Sequence, residues 1–205
     1  MYSELKSYVA RLESDFDSIP ADRKNQLREV AEYIESKKGE TVRLNFICTH
    51  NSRRSHLAQI WTQTSAYFYG IENVETYSGG TEATAFNPRA VEAIERAGFK
   101  AEDPGGENPK YKISFSNNAK PMICFSKKFD DDFNPEANFA AIMTCSDADE
   151  NCPFVPGAEY RKSITYTDPK EADGTDREME VYDERCRQIA TEMFYMMNAV
   201  NSKNS

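Results

Sequence analysis

The feature that most constrains the fold is an apolar strand that runs directly into a polar loop and then into a helix. Residues 42–47 are mostly apolar, residues 48–54 form a polar loop, and a helix is predicted from residue 55 to about residue 69. A second strand at 74–78 and a second helix at 88–97 follow the same order. Such alternation predicts βαβ units, and therefore a parallel sheet covered by helices.

Two further strands are predicted to complete this sheet. Phe139–Met143 is a short apolar run typical of a buried parallel strand, and residues 161–166 are a weaker strand candidate. The chain ends in a long predicted helix with an apolar stripe that includes Met179, Tyr182, Ile189, Met193 and Met197. We therefore predict an α/β fold of three layers, α/β/α, with a four-stranded parallel sheet. Ligands of such sheets bind at the carboxyl ends of the strands, which is where the polar loop lies.

The first forty residues have a different pattern. Apolar side chains recur at helical spacing on both sides of Pro20, which predicts a helical hairpin that ends at residues 37–39. Because no recognisable set of catalytic residue types lies on either helix, packing onto the main domain or onto a partner is the expected role. We expect an N-terminal helical extension at 1–40 and an α/β domain at 41–205.

A second segment also lies outside the minimal pattern. Residues 111–116 and 121–126 flank a short polar stretch and predict an inserted β-hairpin with a four-residue loop. The hairpin is either a flap beside the site or a solvated edge of the molecule, and the sequence leaves both open.

The charge balance narrows the function classes. The 205 residues include 34 acidic and 25 basic side chains, for a net charge of -9, which argues against a general nucleic-acid binder. No apolar run approaches the roughly 20 residues that a membrane span needs, and the polar start is not typical of a secretory signal. We expect a cytoplasmic protein. Because such a compartment is reducing, five residues are expected to be core residues, metal ligands or reactive thiols rather than structural disulfides: Cys48, Cys124, Cys145, Cys152 and Cys186.

The polar loop has the residue types of an oxyanion site. Five residues separate Cys48 from Arg54, and the helix begins at the next position. Successive N–H groups of a tight loop, together with a helix N-terminus, attract an anion, and an arginine adds a planar fork that suits a tetrahedral oxyanion. The same field favours thiolate over thiol, so Cys48 is predicted to be a nucleophile near neutral pH. The predicted oxyanion-binding residues are Thr49, His50, Asn51, Ser52, Arg53, Arg54 and Ser55.

Two of these side chains have more specific predicted roles. The Ser55 hydroxyl can donate a hydrogen bond to the Cys48 thiolate. Asn51 is a residue type that tolerates the left-handed backbone that such a loop requires.

This arrangement resembles the low-molecular-weight protein tyrosine phosphatase superfamily: a C-x5-R spacing between a strand and a helix, with Asn three positions after Cys48 and Ser directly after Arg54. A second motif, Cys145 and Cys152 after the Phe139–Met143 strand, is similar to the redox segment of the thioredoxin-coupled arsenate reductases of that superfamily. Asp168, followed by Pro169, matches the residue that acts as general acid there. The resemblance extends in pieces over residues 43–195.

The resemblance implies a reaction and its catalytic residues. Cys48 attacks arsenate held by the loop and Arg54, and Asp168 protonates the departing oxygen. Cys145 then attacks Cys48 and releases arsenite, and Cys152 attacks Cys145. Thioredoxin is implied as the electron donor, and no cofactor or metal is implied.

Helix geometry limits the last thiol step. A helix rises about 1.5 Å per residue, so Cys145 and Cys152, seven positions apart, would be separated by roughly 10 Å, beyond the Cα separation of about 7 Å that a disulfide allows. We therefore expect the segment between them to unwind.

Two other functions remain open. One is a phosphatase for phosphotyrosine or small phosphate esters, which forms a cysteinyl-phosphate on Cys48 and uses Cys145 and Cys152 only to protect it from oxidation. The other is a non-catalytic oxyanion or redox sensor. The sequence also departs from the family pattern: His50 stands where glycine is common, Arg53 where a second cysteine is common, and Lys170 where phosphatases usually have an aromatic residue.

The sequence also supports predictions for four further residues. Gln59 occupies a position where some arsenate reductases have a carboxylate that helps to bind potassium, so a cation site is not expected. His56 is expected to be exposed on the first helical turn. Cys124 and Cys186 are expected to be packing residues.

Overall fold

The computed structural model describes residues 1–37 and 39–204. In chain order the strands are Val42–Cys48 (β1), Val74–Gly80 (β2), Lys100–Glu102 (β3), Tyr111–Ser114 (β4), Met122–Cys124 (β5), Phe139–Met143 (β6) and Ala158–Ser163 (β7). The helices are Ser3–Val9 (α1), Ala21–Ser36 (α2), Arg54–Phe68 (α3), Pro88–Arg96 (α4), Ser146–Asn151 (α5) and Glu178–Asn204 (α6), and short 3-10 turns lie at Glu13–Ser18 and Pro169–Ala172. None of the described helices is both long enough and apolar enough to cross a membrane.

The central sheet has four parallel strands in the order β2-β1-β6-β7, which confirms the predicted fold class. β1 and β6 lie inside the sheet, and their side chains are almost all buried, as expected for strands covered on both faces. At the carboxyl edge, Cys48 pairs with Gly80 of β2, and Ile47 pairs with Met143 of β6. The loop that leaves β1 therefore lies between the ends of its two neighbours.

The fourth strand begins three residues earlier than predicted and ends at Ser163 rather than at residue 166. The chain beyond it leaves the sheet but still bonds to the end of β6, because Ile164 N donates to Met143 O and Tyr166 N donates to Thr144 O. Ile164 and Tyr166 are both buried. Their burial explains why the apolar pattern extended past the end of the strand.

The N-terminal helices share the main hydrophobic core. Leu5, Val9 and Leu12 are buried in the same cluster as Trp61 of α3 and Phe194 of α6. The first helix is shorter than its apolar spacing predicts, because α1 ends at Val9 and tighter turns follow.

Lys38, in the predicted end of the helical hairpin, lies outside the described residues. The prediction that Met179 belongs to the apolar stripe of the last helix is wrong: its side chain is 62% exposed in the first turn of α6, before that helix reaches the core at Tyr182.

The inserted segment forms the predicted antiparallel pair, β4 with β5, but both strands are shorter than predicted and residues 115–121 connect them in place of a four-residue loop. A third strand, β3, adds to the edge of this pair. β3 has only three residues, too few to show a pattern in the sequence. After β5 the chain returns to the parallel sheet, where residues 126–129 run past the end of β2 and bridge Gly80 to Lys128. The insertion therefore adjoins the loop that follows β1.

Candidate active site

Residues 48–54 are here called the Cys48 loop, and hydrogen bonds from outside the loop hold four of its backbone carbonyls, those of residues 48, 49, 50 and 52. Thr81 N and Glu82 N donate to the carbonyls of residues 48 and 49, Asn87 N donates to Ser52 O, and Ser126 Oγ donates to His50 O. Because the N–H of a peptide unit points opposite to its C=O, carbonyls engaged from outside turn amides toward the interior of the loop, which suits an anion.

Gly80 allows the end of β2 to approach the Cys48 loop closely. A Cβ at this position would lie 2.6 Å from Thr49 O and 2.8 Å from Asn51 N, so only glycine fits without displacing the loop backbone.

Ser55 lies beside the Cys48 sulfur, and Asn51 contacts Ser55. Cys48 Sγ is 3.1 Å from Ser55 Oγ, and Asn51 Nδ2 donates to that same oxygen at 2.9 Å. Since the amide already donates to the serine oxygen, the serine hydroxyl is free to donate to the sulfur. Asn51 has a φ of 44°, the left-handed conformation that the sequence predicted, and its Oδ1 accepts from Lys127 N.

Arg54 reaches from the start of α3 to the segment that carries Asp168. Its Nη1 donates to Tyr166 O at 2.9 Å, and its Nη2 donates to Asp168 Oδ2 at 2.8 Å. Among the described residues, its Nε is buried and has no hydrogen-bond partner. A donor left in this state beside a loop of inward-facing amides suits an oxyanion.

The side chain of Arg53 takes a different direction from that of Arg54. Its Nε donates to Tyr182 Oη at 2.7 Å, and its Nη2 donates to Asp173 Oδ2 at 3.5 Å. Neither Tyr182 nor Asp173 is a predicted site residue. Tyr182 is expected only in the apolar stripe of the last helix, and no local pattern predicts its contact with Arg53, which lies 129 positions away.

The remaining side chains of the Cys48 loop lie at its rim. His50 is half exposed, and its Nε2 lies 3.6 Å from Glu82 Oε2. Ser52 Oγ donates to Ala85 O at 2.8 Å, which ties the loop to the chain that precedes α4. In these contacts both side chains point to neighbouring segments, so their proposed contribution to oxyanion binding rests on their backbone amides.

Cys145 and Cys152 lie at the two ends of the short helix α5. Cys145 is buried beside the Cys48 loop, where its Sγ is 3.5 Å from Thr49 Oγ1 and accepts from Ala148 N as the N-cap of α5. Cys152 is the C-cap of α5 and is partly exposed. The structure therefore brings Cys145 to the loop and leaves Cys152 at the far end of the helix.

His56 is fully buried, so the prediction that it is exposed is wrong. Its Nδ1 lies 3.1 Å from Ser78 Oγ, and its ring stacks on Phe86 at 4.1 Å. Burial, aided by the nearby charge of Lys127, holds the pKa of His56 well below its ordinary value. The segment that precedes α4 covers this first turn of α3, a contact that helix periodicity does not reveal.

Lys127, from the inserted segment, is buried in the same region. Its Nζ lies over the rings of Phe125 and Phe133, at 4.8 and 5.7 Å from their centroids. Burial lowers the pKa of Lys127 to about 8.

Gln59, at which no cation site is expected, bonds to the neighbouring strand. Its Nε2 donates to Thr76 O.

Cys124 and Cys186 are buried in the hydrophobic core as packing residues. Both are buried, and burial raises the pKa of Cys124 and of Cys186 to about 12. Cys186 also accepts a hydrogen bond from Trp61 Nε1. Thiols of this kind are poor nucleophiles. The described residues contain no group of three or more His, Cys, Asp or Glu side chains that could hold a metal ion.

The chain resembles known proteins in both sequence and fold. The family model of the low molecular weight phosphotyrosine protein phosphatases matches residues 43–106. The arsenate reductase of Bacillus subtilis is 30% identical over 142 residues, which cover 69% of this chain and 84% of that protein. Arsenate reductase 2 of Staphylococcus epidermidis is 32% identical over 124 residues, 60% of this chain and 76% of its own.

Among solved structures, the low molecular weight phosphotyrosine phosphatase of Vibrio cholerae matches this fold with a TM-score of 0.54 at 13% identity. The match covers 80% of this chain and 99% of the Vibrio chain. At that identity the likeness concerns the fold alone. The sequence matches are evidence for the family. The match to the Bacillus protein spans most of that protein's length, and the family model includes the strand, loop and helix that hold Cys48 and Arg54. The chain belongs to the low molecular weight phosphotyrosine protein phosphatase family.

Proposed function

We propose that this protein reduces arsenate to arsenite by a relay of three thiols. The Cys48 thiolate attacks arsenic and forms an S–As bond, while Asp168 protonates the departing oxygen so that it leaves as water. The Cys145 thiolate then attacks the Cys48 sulfur. The electron pair of the broken S–As bond reduces As(V) to As(III), arsenite leaves, and a Cys48–Cys145 disulfide remains.

The second half of the cycle restores Cys48. The Cys152 thiolate attacks the Cys145 sulfur, which frees the Cys48 thiolate and forms a Cys145–Cys152 disulfide. A dithiol donor of the thioredoxin type reduces that disulfide, so arsenate and one dithiol yield arsenite, water and one disulfide. Such a cycle needs a compartment that keeps thiols reduced, which favours the cytoplasm.

The observation that carries this proposal is the position of Cys145. Its sulfur is 3.5 Å from the hydroxyl of Thr49, the residue directly after Cys48, and Cys48 and Cys145 belong to one hydrophobic cluster. A phosphatase needs no second thiol at this position. The relatives from Bacillus subtilis and Staphylococcus epidermidis, which are named arsenate reductases, add support.

Two serine variants test the relay. Cys48→Ser is expected to abolish arsenate reduction coupled to reduced thioredoxin, and Cys145→Ser is expected to abolish it while hydrolysis of 4-nitrophenyl phosphate survives. Cys186→Ser is the matched control, because it replaces a buried thiol outside the site and is expected to retain activity. Arsenate reduction that persists in Cys145→Ser would rule out the relay.

A phosphatase is the second candidate, favoured by the pairing of Arg54 with Asp168 at 2.8 Å and by the family model. In that case Cys48 forms a cysteinyl-phosphate, and Asp168 protonates the leaving group and then activates water. Rapid hydrolysis of aryl phosphates by the unmodified protein, with no oxidation of reduced thioredoxin in the presence of arsenate, would select this function. Phosphate binding with neither activity would select a sensor.

A further inference from the structure

Two consecutive arginines hold the two ends of one short turn. The 3-10 turn Pro169–Ala172 has Asp168 as its N-cap and Asp173 as its C-cap. Arg54 binds the first carboxylate, and Arg53 binds the second. We propose that Tyr182 is a positioning residue that, with Asp173 and Arg53, fixes the turn so that Asp168 faces the Cys48 loop. This inference deepens the proposed function, because it concerns the general acid of that site.

Tyr182 is the centre of the network. Its hydroxyl accepts from Arg53 Nε at 2.7 Å and donates to Asp173 Oδ1 at 2.8 Å, so it is a bridge between the Cys48 loop and the far end of the turn. Its side chain is fully buried in α6, so the packing of that helix fixes its position. Burial, and the hydrogen bond to Asp173, raise the pKa of Tyr182 to about 12, which keeps the hydroxyl protonated and able to donate.

Burial of Arg53 makes this network hard to break. The side chain of Arg53 is only 10% exposed, and its bonds are to Tyr182 and Asp173, with Asp168 Oδ1 3.9 Å from its Nε. If a buried guanidinium loses a partner, its charge remains out of water without compensation, which is unfavourable. The turn has only four residues between its caps, so fixing Asp173 restricts where Asp168 can lie.

A second attachment lies just beyond Asp173. Gly174 N donates to Glu178 Oε2 at 2.6 Å, and Arg89 of α4 pairs with the other oxygen of Glu178 at 2.8 Å. The chain after the turn is therefore joined to both α4 and α6. The contacts of Asp173 and those of Gly174 both hold the end of the turn that lies opposite Asp168. This arrangement is expected if that end anchors the turn.

This inference gives Arg53 a different role from Arg54. The guanidinium of Arg53 is used in holding the turn, whereas Arg54 has a buried Nε with no partner among the described residues. The side chain of Arg54 is then the oxyanion ligand, and that of Arg53 acts through the position of Asp168.

Tyr182→Phe is the test, because it removes both hydrogen bonds and keeps the ring in the core. Tyr33→Phe is the matched control, since Tyr33 also bonds a carboxylate, Glu159 at 2.6 Å, on an exposed surface of α2. In Tyr182→Phe, amide hydrogen exchange in residues 168–175 is expected to be about tenfold faster, since a local opening then costs less. Affinity for inorganic phosphate is expected to stay within about twofold, because Arg54 and the loop amides are intact.

Leaving-group dependence separates this role from a merely structural one. Phenyl phosphate needs a protonated leaving group, so its hydrolysis is expected to slow by about 10- to 100-fold in Tyr182→Phe. 4-Nitrophenyl phosphate needs little protonation and is expected to slow by less than about threefold. If the unmodified protein hydrolyses neither ester, hydrogen exchange in residues 168–175 and phosphate affinity decide the inference, and arsenate consumption is expected to slow by about 10- to 100-fold.

The results of these experiments test the role of Tyr182 separately from the proposed arsenate reduction. Unchanged exchange in residues 168–175, equal slowing of both esters, or a loss of phosphate affinity as large as that in Arg54→Ala would overturn the inference. A protein that does not reduce arsenate but shows the expected exchange and leaving-group pattern would refute the proposed arsenate reduction and retain the role of Tyr182.

Discussion

Arg54 Nη2 donates a 2.8 Å hydrogen bond to Asp168 Oδ2, so the proposed oxyanion ligand and the proposed general acid are in direct contact although 114 positions separate them. The guanidinium comes from the first turn of α3, and the carboxylate caps the 3-10 turn that follows β7. An oxyanion bound by Arg54 is therefore within reach of the acid that must protonate its departing oxygen.

Arg54→Ala is expected to weaken the binding of arsenate and inorganic phosphate by about 100-fold, because it removes a charge-assisted, planar fork from a partly desolvated site. Isothermal titration measures both affinities. Lys112→Ala is the control, since that lysine is exposed on β4 and its Nζ pairs with Glu102 at 3.7 Å. With a net charge of -9, the protein has no general attraction for anions, so capture depends on the local field of the loop. Equal losses in the two variants would contradict this.

Asn51→Ala is expected to lower the free energy of unfolding by about 3–5 kcal/mol, through the strain of a left-handed alanine and two lost buried hydrogen bonds. Asn138→Ala is a matched control, because Asn138 also has a positive φ, 57°, but is exposed. Its expected loss is about 1–2 kcal/mol from strain alone. Urea denaturation measures both values. Similar losses in the two variants would mean that the Asn51 side chain does not brace the loop.

The sequence predicted the parts of the site that depend on neighbouring residues. Cys48, Asn51 and Ser55 lie within one strand–loop–helix unit, so the loop alone brings them together, and the left-handed backbone of Asn51 follows from the same geometry. The four-stranded sheet was predictable for a similar reason, since each strand and helix has its own periodicity.

Contacts between distant elements were not predictable in this way. Tyr182 meets Arg53 only because α6 docks beside the loop, and Ser126 meets His50 O only because the inserted segment returns to the sheet. The sequence predicts an exposed His56, because nothing in the periodicity of α3 shows that Phe86 covers its first turn. Such pairings depend on how complete elements pack, which no local pattern encodes.

Arg161→Gln is expected to speed formation of the Cys145–Cys152 disulfide by about tenfold when the reduced protein is treated with a mild oxidant. Arg161 donates to the carbonyls of Asp149 and Cys152 at 2.8 and 3.1 Å and pairs with the Asp149 carboxylate at 2.6 Å, so it holds the C-terminal end of α5. Because the two sulfurs cannot meet across an intact helix, releasing this end lowers the cost of unwinding.

The control for this experiment is Arg43→Gln, which removes an exposed pair between Arg43 and Glu75 at the far side of the sheet. Mass spectrometry after rapid thiol alkylation measures the disulfide. The same rate in Arg161→Gln and Arg43→Gln would mean that the Arg161 contacts do not limit unwinding.

Burial of His56 is expected to make the protein less stable in mild acid. Its pKa in the folded protein lies well below the value of about 6.5 that it regains on unfolding, so below pH 6.5 the unfolded chain binds a proton that the folded protein does not. The stability associated with the neutral ring is therefore complete above pH 6.5 and falls by up to about 1.4 kcal/mol for each pH unit below it. Urea denaturation between pH 7.5 and about pH 5 measures how the free energy of unfolding changes with pH.

His56→Asn is expected to make this dependence on pH less steep, because up to one fewer proton is then taken up on unfolding. His50→Asn, the same change at a half-exposed histidine, is expected to leave the dependence nearly unchanged. Equal slopes in the two variants would show that His56 takes up its proton in the folded state as readily as in the unfolded one.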